Sequence, residues 1–365
     1  MKRLPLLLGL CGLVVLAIAL SFLLFWPTPG TPVAWRAPPA PSLEAGPYAR
    51  NARLKAVRRF ARGVGYGPES LAIDPSSGGL LTGYLNGDVV GIGRDGQHPE
   101  IFGNTGGRPL GLAVCPDGSV LVADALKGLV RIRSKGAPAE VLATEANGIA
   151  FRFADNIAAD SRCRYAYFTD ASSKWGYGHD REDIVEHGGH GRLIRYELAT
   201  GKLTTIKDGL NFANGVVLGP DESYVLVNES GAYRTLRVWV SQDRFGETEV
   251  FADNMPGFPD NVSFNGKDRV WVALPVPRNA LLDFLSSFPY LRKMILRLMA
   301  VIDLPRERRA MAMAYDLDGR LVANLQYEGE GVYFFITQVT EIDGDLYFGS
   351  LFQDSLAVLL HWQAN

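Results

Sequence analysis

The sequence predicts an all-β protein: a six-bladed β-propeller with an N-terminal transmembrane helix and a short helical insertion. Three observations lead to this prediction. Four segments with a common beginning recur along the chain, strand-like runs alternate with turn signals from about Leu54 onward, and glycine is abundant, with 40 residues. Repetition at a roughly regular period is typical of propellers, in which each repeat forms one blade.

The four recurring segments each place a carboxylate or an amide ahead of an aliphatic stretch. They are Gly67-Pro68-Glu69-Ser70, Phe153-Ala154-Asp155-Asn156, Phe212-Ala213-Asn214-Gly215 and Phe258-Pro259-Asp260-Asn261. Because the innermost strand of a blade begins near the propeller axis, we expect these polar side chains to converge on one point. Converging oxygen ligands suit calcium. The sequence therefore predicts one axial Ca²⁺, with another divalent cation as the alternative.

Six strand-rich units follow one another along the chain. Their first apolar runs contain Leu71, Pro109, Phe153, Phe212, Phe258 and Val339. Within the first unit, Asn86-Gly87 between apolar runs is a strong hairpin signal. The early segment Lys55 to Phe60 is a candidate for the outer strand that pairs with the last unit and closes the ring, which would remove exposed sheet edges.

The N-terminus predicts a membrane anchor. Lys2 and Arg3 precede a largely apolar, uncharged run from Leu4 to Trp26, about the length that crosses a bilayer as a helix. Since no small-residue cleavage site follows closely, we favour a retained signal anchor over residues 1–26. The basic residues then stay cytoplasmic, and the rest of the chain lies on the periplasmic or extracytoplasmic side. The proline-rich residues 27–48 predict an extended tether, and the propeller occupies 49–365.

One stretch, residues 279–309, departs from the β pattern. Its apolar residues recur at near-helical spacing, with Arg292, Lys293 and Arg297 between them. We interpret it as a helical insertion in the fifth blade. Three placements remain open: it caps the active-site face, it rests on the membrane surface as a basic amphipathic helix, or it packs against the side of the propeller.

Composition narrows the class of protein. The net charge of −2 gives no reason to expect nucleic acid as a partner.

Cys115 and Cys163 could form one disulfide, but two buried free thiols are favoured, since nothing in the sequence brings their Cα atoms together. Asp124 and Asp170 end strand-like runs and are expected to bond neighbouring backbone.

Two other chemistries are disfavoured. Ser70 lies in no Gly-x-Ser-x-Gly elbow, which argues against a serine-hydrolase triad. The histidines His179, His187 and His190 share a segment, but their spacing fits no compact zinc site. That segment is expected to form a solvated lid or a substrate-contacting loop.

Several strings of residues resemble, in the same order, the strictosidine-synthase-like group of proteins. The resemblance extends from about Arg50 to the end of the chain. It rests on Gly67-Pro68-Glu69-Ser70, Gly107-Arg108-Pro109-Leu110-Gly111, Phe168-Thr169-Asp170-Ala171-Ser172-Ser173-Lys174-Trp175, Phe212-Ala213-Asn214-Gly215-Val216 and Asn254-Met255-Pro256-Gly257-Phe258-Pro259-Asp260-Asn261. The wider superfamily, which includes gluconolactonases, paraoxonases and diisopropylfluorophosphatase, implies a six-bladed propeller with an axial calcium.

The resemblance also implies a ligand set. Glu69, Asn214 and Asp260 match the superfamily's metal ligands in blades one, four and five. In blade three, where relatives usually have Asn followed by Asp, this chain has Asp155 followed by Asn156, so Asp155 takes the ligand position. Its carboxylate should bind the cation more tightly than an amide. Asn156 and Asn261 are predicted as further contacts.

Two departures limit what carries over from this superfamily. Thr337 stands before Gln338, where the alkaloid-forming synthases have a catalytic Glu, and a threonine cannot serve as the general acid or base of that condensation. Leu110 stands where paraoxonases have a catalytic His. Neither the synthase chemistry nor the paraoxonase dyad is therefore expected intact.

The resulting prediction is a membrane-anchored, calcium-dependent hydrolase whose substrate is a small-molecule ester or lactone. Asp260 or Asp155 would deprotonate the attacking water beside the metal. The first alternative is a non-catalytic binding or scaffold propeller with a structural calcium. A condensing enzyme of the strictosidine type is less favoured.

Overall fold

The structure, a computed structural model, describes residues 3–302, 305 and 307–362, with side chains from residue 10 onward. Its first strand is β1 (Arg58–Phe60). β1 and the later strands build six four-stranded antiparallel sheets and one two-stranded ribbon, and the six sheets are arranged as the blades of a propeller, which confirms the predicted six-bladed fold.

The first three blades use strands up to residue 210. Blade one contains β2 (Ala72–Ile73), β3 (Leu80–Gly83), β4 (Asp88–Ile92) and β5 (Glu100–Asn104). Blade two contains β6 (Pro109–Val114), β7 (Val120–Asp124), β8 (Gly128–Ile132) and β9 (Ala139–Ala143). A two-stranded ribbon, β10 (Glu145–Ala146) and β11 (Ile149–Ala150), precedes blade three, which contains β12 (Ala154–Ala159), β13 (Tyr165–Asp170), β14 (Gly191–Glu197) and β15 (Leu203–Leu210).

The last three blades complete the ring. Blade four contains β16 (Ala213–Leu218), β17 (Tyr224–Glu229), β18 (Arg234–Trp239) and β19 (Thr248–Ala252). Blade five contains β20 (Val262–Phe264), β21 (Val270–Ala273), β22 (Ala310–Tyr315) and β23 (Leu321–Tyr327). Blade six contains β24 (Ile336–Ile342), β25 (Asp345–Ser350) and β26 (Leu356–Leu359).

Blade six takes its fourth strand from the other end of the chain. β1 pairs antiparallel with β26, so that Arg58 lies opposite Val358 and Phe60 opposite Leu356. This pairing covers the hydrogen-bonding edge that blade six would otherwise expose. The strand predicted between Lys55 and Phe60 therefore closes the ring as expected.

Apolar sequence runs become the middle strands of the blades because both faces of these strands are covered by neighbouring blades. All residues of β7, β17 and β22 are buried. Short, continuously apolar runs are typical of strands buried on both sides. The same packing buries Trp271 of β21 completely, in a cluster shared with Phe348 of β25.

The helices lie outside the blades. They are α1 (Arg3–Phe25), α2 (Asp180–Glu186) between β13 and β14, and α3 (Ala280–Phe284) and α4 (Pro289–Met299) between β21 and β22; single 3-10 turns cover Ser230–Ala232 and Leu285–Ser287. Asn279 caps α3 by accepting a hydrogen bond from the Leu282 N–H at 2.9 Å. In the described part of the chain, no helix combines the length and the hydropathy of a membrane span.

Helices α2 and α4 form one cap on the propeller. The Arg292 guanidinium of α4 is buried and donates to the Ile184 carbonyl of α2 at 3.1 Å. Of the three placements open for the helical insertion, the structure therefore favours the one over the face on which α2 lies.

Residues 27–48 form neither helix nor strand, and they are packed rather than free. The Val33 N–H donates to the Glu186 carbonyl at 2.9 Å, and the Trp35 N–H donates to the Ser286 carbonyl at 3.1 Å. The Trp35 ring stacks on His187 with centroids 4.0 Å apart. Proline-rich composition predicted an extended tether but carried no sign of these contacts, which tie the segment to the cap.

Cys115 and Cys163 form a disulfide, with Cα atoms 5.6 Å apart, so the favoured prediction of two free thiols is wrong. Cys115 follows β6, and Cys163 lies in the turn after β12. These two strands belong to neighbouring blades and contact each other. The turns that follow them therefore lie side by side, which a separation of 48 residues does not reveal.

We expect the double variant Cys115→Ser/Cys163→Ser to be less stable by about 2–4 kcal/mol, because the disulfide restricts the unfolded chain. Urea denaturation of the oxidised wild type and the variant measures the difference. The matched control is Cys11→Ser, since Cys11 is an exposed free cysteine and its replacement should leave the midpoint unchanged. Equal midpoints for the double variant and the wild type would contradict the prediction.

Candidate metal centre

The structure brings the four repeated polar positions to one cavity on the propeller axis. Glu69 precedes β2, Asp155 lies in β12, Asn214 lies in β16 and Asp260 precedes β20. All four line the same cavity of about 350 Å³, and all four side chains are buried. This is the convergence that the repeats predict for the start of each inner strand.

Most of the remaining cavity wall is apolar. It includes Leu110, Phe153, Phe212, Phe335 and Leu351, together with Tyr177 and Ile184 from the segment around α2. The carboxyl and amide groups are therefore concentrated at one place in a pocket that otherwise excludes water. Leu110, which stands where a catalytic His would be expected in a paraoxonase, contributes only an apolar surface to this wall.

Asn156 and Asn261, the further contacts predicted from sequence, are hydrogen-bonded to each other. The Asn156 Nδ2 donates to Asn261 Oδ1 at 2.6 Å, and the Asn261 Nδ2 donates to Glu69 Oε1 at 2.6 Å. The Asn156 Oδ1 also accepts from the Val216 N–H at 3.2 Å. Both amides thus serve as links that orient Glu69 and join blades one, three, four and five.

Three of the four positions are also held through their backbone carbonyls by side chains of the preceding blade. The Thr337 hydroxyl donates to the Glu69 carbonyl at 2.6 Å, and the Thr169 hydroxyl donates to the Asn214 carbonyl at 2.6 Å. The Asn228 Nδ2 donates to the Asp260 carbonyl at 2.5 Å. Thr337 therefore has a positioning role. Thr169 and Asn228 were missed, because a single polar residue inside an apolar strand does not reveal its partner.

Two glycines allow the inner strands to approach closely beside these positions. A Cβ added at Gly215 would lie 2.6 Å from the Asn261 Cα, and one added at Gly111 would lie 2.6 Å from the Asn156 Cα. A side chain at either position would push neighbouring blades apart at the axis. Both glycines lie in strings that support the family resemblance, so the sequence contained a signal for this packing.

Burial and mutual repulsion make the three carboxyl groups poor acids. Burial raises the pKa of Glu69 well above its usual range, and the nearby Asp155 raises it further. Burial, followed by repulsion from Asp180 and Asp170, raises the pKa of Asp155 to about 8. The pKa of Asp260 is raised by burial and then by Glu69 and Asp155. Such a cluster is stabilised by a bound cation.

Arg108 supplies positive charge beside this cluster. Its side chain is buried, and it lowers the pKa values of both Glu69 and Asp155, opposing the effects of burial. The guanidinium donates to the Gly67 carbonyl at 2.7 Å and to the Tyr177 hydroxyl at 3.2 Å. Sequence reasoning missed this residue because arginines are mostly exposed.

The donor set fits a calcium ion. Glu69 Oε2 and Asn214 Oδ1 are buried without a hydrogen-bond partner, and such atoms are costly unless they bind something. Within the residues described, the side chains of His, Cys, Asp and Glu form no group of three or more that could hold a metal ion. The candidate set for calcium therefore depends on the amide oxygen of Asn214 together with the carboxylates, a mixture of donors that calcium accepts.

The histidines considered for zinc have other contacts. His187 stacks on Trp35, and burial lowers its pKa to about 3. The His179 Nδ1 lies 3.1 Å from Glu182 Oε1, and the His190 Nε2 lies 3.6 Å from Glu186 Oε1. Asp124 bonds the Arg108 N–H at 2.9 Å, which agrees with the backbone role expected for it.

We expect the calcium-free protein to lose stability as the pH rises from about 5 to 8. The raised pKa values mean that the folded state binds more protons than the unfolded state in this range, so stability falls with rising pH. Calcium binds the deprotonated carboxylates, and its stabilising effect should therefore grow with pH. Melting temperatures in EDTA and in calcium across this range test the prediction. An equal calcium effect at both ends would contradict it.

Comparison with known proteins identifies the class. Residues 155–243 match the family model described as strictosidine synthase, and residues 46–92 match the strictosidine synthase-like N-terminal family. Human adipocyte plasma membrane-associated protein is 32% identical over 361 residues, which cover 93% of this chain and 85% of the human protein. Strictosidine synthase-like protein 7 of Arabidopsis thaliana is 33% identical over 79% of this chain and 77% of its own length.

Solved structures share the fold. A gluconolactonase from Xanthomonas campestris superposes with a TM-score of 0.60 at 16% identity, covering 92% of this chain and 99% of its own. The calcium-binding protein regucalcin from Agrobacterium tumefaciens superposes with a TM-score of 0.57 at 17% identity, covering 83% of this chain and 92% of its own. At these identities the likeness establishes the fold alone.

The structure thus defines a six-bladed β-propeller, a fold that it shares with the gluconolactonase and regucalcin structures. Within that class, the chain belongs to the strictosidine synthase-like family, together with the adipocyte plasma membrane-associated proteins.

Proposed function

We propose that this protein is a membrane-anchored, calcium-dependent hydrolase of carboxylic esters or lactones. The observation that carries the proposal is the pair of unpartnered buried oxygens, Glu69 Oε2 and Asn214 Oδ1, in the wall of a largely apolar cavity that also contains the buried carboxyl groups of Asp155 and Asp260. A structural ion is normally enclosed, whereas a catalytic site keeps a position that substrate can reach. The adjoining cavity of about 350 Å³ supports the catalytic alternative.

Glu69, Asp155, Asn214 and Asp260 would hold the calcium, with Asn156 and Asn261 orienting them from behind. When bound, the ion would polarise the substrate carbonyl and stabilise the charge that develops on its oxygen. Asp260 or Asp155 would accept the proton of the attacking water. The apolar wall, which includes Phe153, would exclude bulk water and strengthen each electrostatic contact.

Hydrolysis of phenyl acetate and of a small lactone panel by the purified full-length protein tests the proposal. Activity should disappear with EDTA and return when calcium is added. A folded, calcium-loaded protein without activity on any member of the panel would instead favour the binding or scaffold propeller with a structural ion. Thr337 keeps the strictosidine-type condensation disfavoured, since its hydroxyl is engaged by the Glu69 carbonyl.

The anchor is proposed over residues 1–26, with the propeller on the extracytoplasmic side. Lys2 and Arg3 followed by the uncharged run to Trp26 support this topology. The relatives are named plasma membrane-associated proteins. The Cys115–Cys163 disulfide gives independent support, because disulfides persist mainly in oxidising compartments outside the cytoplasm.

Removal of residues 1–30 should leave the catalytic activity within about twofold of the value for the whole chain, which corresponds to a change of about 0.4 kcal/mol or less in the activation free energy. The truncation keeps the Thr31 N–H, which donates to Glu186 Oε1 of the cap at 2.9 Å, and removes the Leu23 and Trp26 carbonyls that accept from Arg297. Values of kcat/KM for phenyl acetate, measured on both proteins, test this expectation. A folded but inactive truncation would mean that the anchor takes part in catalysis.

A further inference from the structure

A second cavity adjoins the axial cavity beneath the cap. Its volume is about 610 Å³, and it lies between α2, the start of the fifth blade and the helical insertion. Much of its wall is apolar, and it includes Ile184, Phe258, Leu281, Leu282, Ile295 and Leu298. We call this space the cap groove.

The cap groove and the axial cavity meet at two side chains. Ile184 of α2 and Phe258, two residues before Asp260, line both spaces. A molecule whose reactive group lies beside Asp260 would extend past these two side chains into the cap groove, whose wall also contains the charged residues Arg181, Arg278 and Glu307. Small esters such as acetates fill the axial cavity alone and leave the apolar groove unused.

The cap groove is also close to the proposed anchor. Helix α4 provides Ile295 and Leu298 to the groove and binds the end of α1 through Arg297. The Arg297 guanidinium donates to the Trp26 carbonyl at 2.6 Å and to the Leu23 carbonyl at 2.8 Å. One helix thus connects the groove to the segment expected at the membrane, where amphiphilic molecules are concentrated.

We propose that the cap groove binds the acyl tail of the substrate, so that the substrates are long-chain carboxylic esters or lactones drawn from a membrane. This inference rests on the proposed hydrolase activity and specifies its substrate class. In the reaction, the acyl carbon–oxygen bond breaks, the oxygen of water enters the acid, and a proton of water passes to the released alcohol. The acid product keeps its tail in the groove until it leaves.

The test is a chain-length series of p-nitrophenyl esters, from acetate to decanoate, with the full-length protein in calcium and each ester below its micelle-forming concentration. We expect kcat/KM to rise roughly 10- to 100-fold from acetate to octanoate, because each buried methylene contributes favourable transfer energy. A flat or falling series from an enzyme that cleaves the acetate would overturn the groove proposal and leave the hydrolase proposal intact.

Substitutions in the groove wall test whether the gain with chain length arises in the cap groove. Leu298→Arg should remove the gain with chain length and leave the acetate rate within about twofold, because the acetate does not reach the groove. Ile295→Gln, a milder change in the same wall, should reduce the gain if Leu298→Arg fails to fold. The matched control is Leu291→Arg, because Leu291 lies on the same helix, is 41% exposed and does not line the groove. A gain that persists in both groove variants would contradict the proposal.

A binding measurement separates failure of the groove from failure of catalysis. Dansyl-undecanoate should bind the full-length protein with increased fluorescence, and Leu298→Arg should weaken this binding at least about tenfold. If no ester is cleaved but the probe binds in this Leu298-dependent manner, the hydrolase proposal fails and the tail-binding groove stands. Absence of binding to the folded wild type would overturn the groove.

Discussion

Replacement of Asp260 by asparagine should lower kcat/KM for phenyl acetate by about 10³-fold or more and leave the propeller folded. The variant keeps the side-chain volume, and the backbone contacts of Asp260 with Asn228 and Gly215 do not depend on the carboxylate. It removes both a proposed ligand and a candidate base, and effects of this size follow loss of such groups. Steady-state rates in saturating calcium give the measurement.

In the absence of metal, the same substitution is expected to stabilise the fold. Because the pKa of Asp260 is raised by burial and by repulsion from Glu69 and Asp155, neutralising it should raise the melting temperature in EDTA at pH 8. In calcium the order should reverse, since the wild type gains more from the ion. Asp243→Asn, in an exposed turn, is the control and should change neither quantity. Activity that survives in Asp260→Asn would refute the axial-carboxylate mechanism.

Removal of the Asp170 carboxylate should destabilise the fold by about 3–5 kcal/mol, the usual cost of leaving one member of a buried ion pair alone. Asp170 is fully buried, and its Oδ2 accepts from Arg192 Nη2 at 2.6 Å and from Nε at 3.2 Å. Its Oδ1 accepts from the Phe153 N–H at 3.0 Å. In Asp170→Ala, the Arg192 guanidinium would remain buried against backbone carbonyls alone.

Urea denaturation of Asp170→Ala measures this loss. The comparison is Asp318→Ala, which breaks an exposed ion pair with Arg320 at 2.5 Å, with side chains 69% and 73% exposed; exposed pairs contribute about 0–1 kcal/mol. Similar midpoints for the two variants would mean that the buried pair is not a major source of stability. Because Phe153 lies two residues before Asp155, the variant should also weaken calcium binding.

The closed ring and the polar cluster on its axis could be predicted because the sequence segments that form them repeat. Glu69, Asp155, Asn214 and Asp260 stand at the same point of four of the six units, and a closed ring has only one place where such points converge. The strand near Phe60 followed from the need to cover the last sheet edge. Periodicity and edge protection are properties of the chain itself, so a single sequence can reveal them.

The features that were missed depend on contacts between blades. Nothing local to Cys115 or Cys163 indicates that their turns lie side by side, and nothing local to Arg108 indicates that its guanidinium is buried against Gly67. Likewise, the sequence contains both Asn156 and Asn261, but only the packed blades decide that the two amides bond each other. The packing of the linker could not be predicted for the same reason, because its contacts with Glu186 and Ser286 join segments far apart in sequence.

The pairing of β1 with β26 also constrains how the protein is made. Arg58 is synthesised long before its partner Val358. Five blades can form in order as the chain emerges, whereas the sixth keeps an open edge until β26 has been made and pairs with β1. Closing so long a loop is slow relative to forming the local hairpins of each blade. The propeller thus remains an incomplete ring until β26 pairs with β1, and this pairing decides when the edge of blade six becomes protected from strand exchange with other chains.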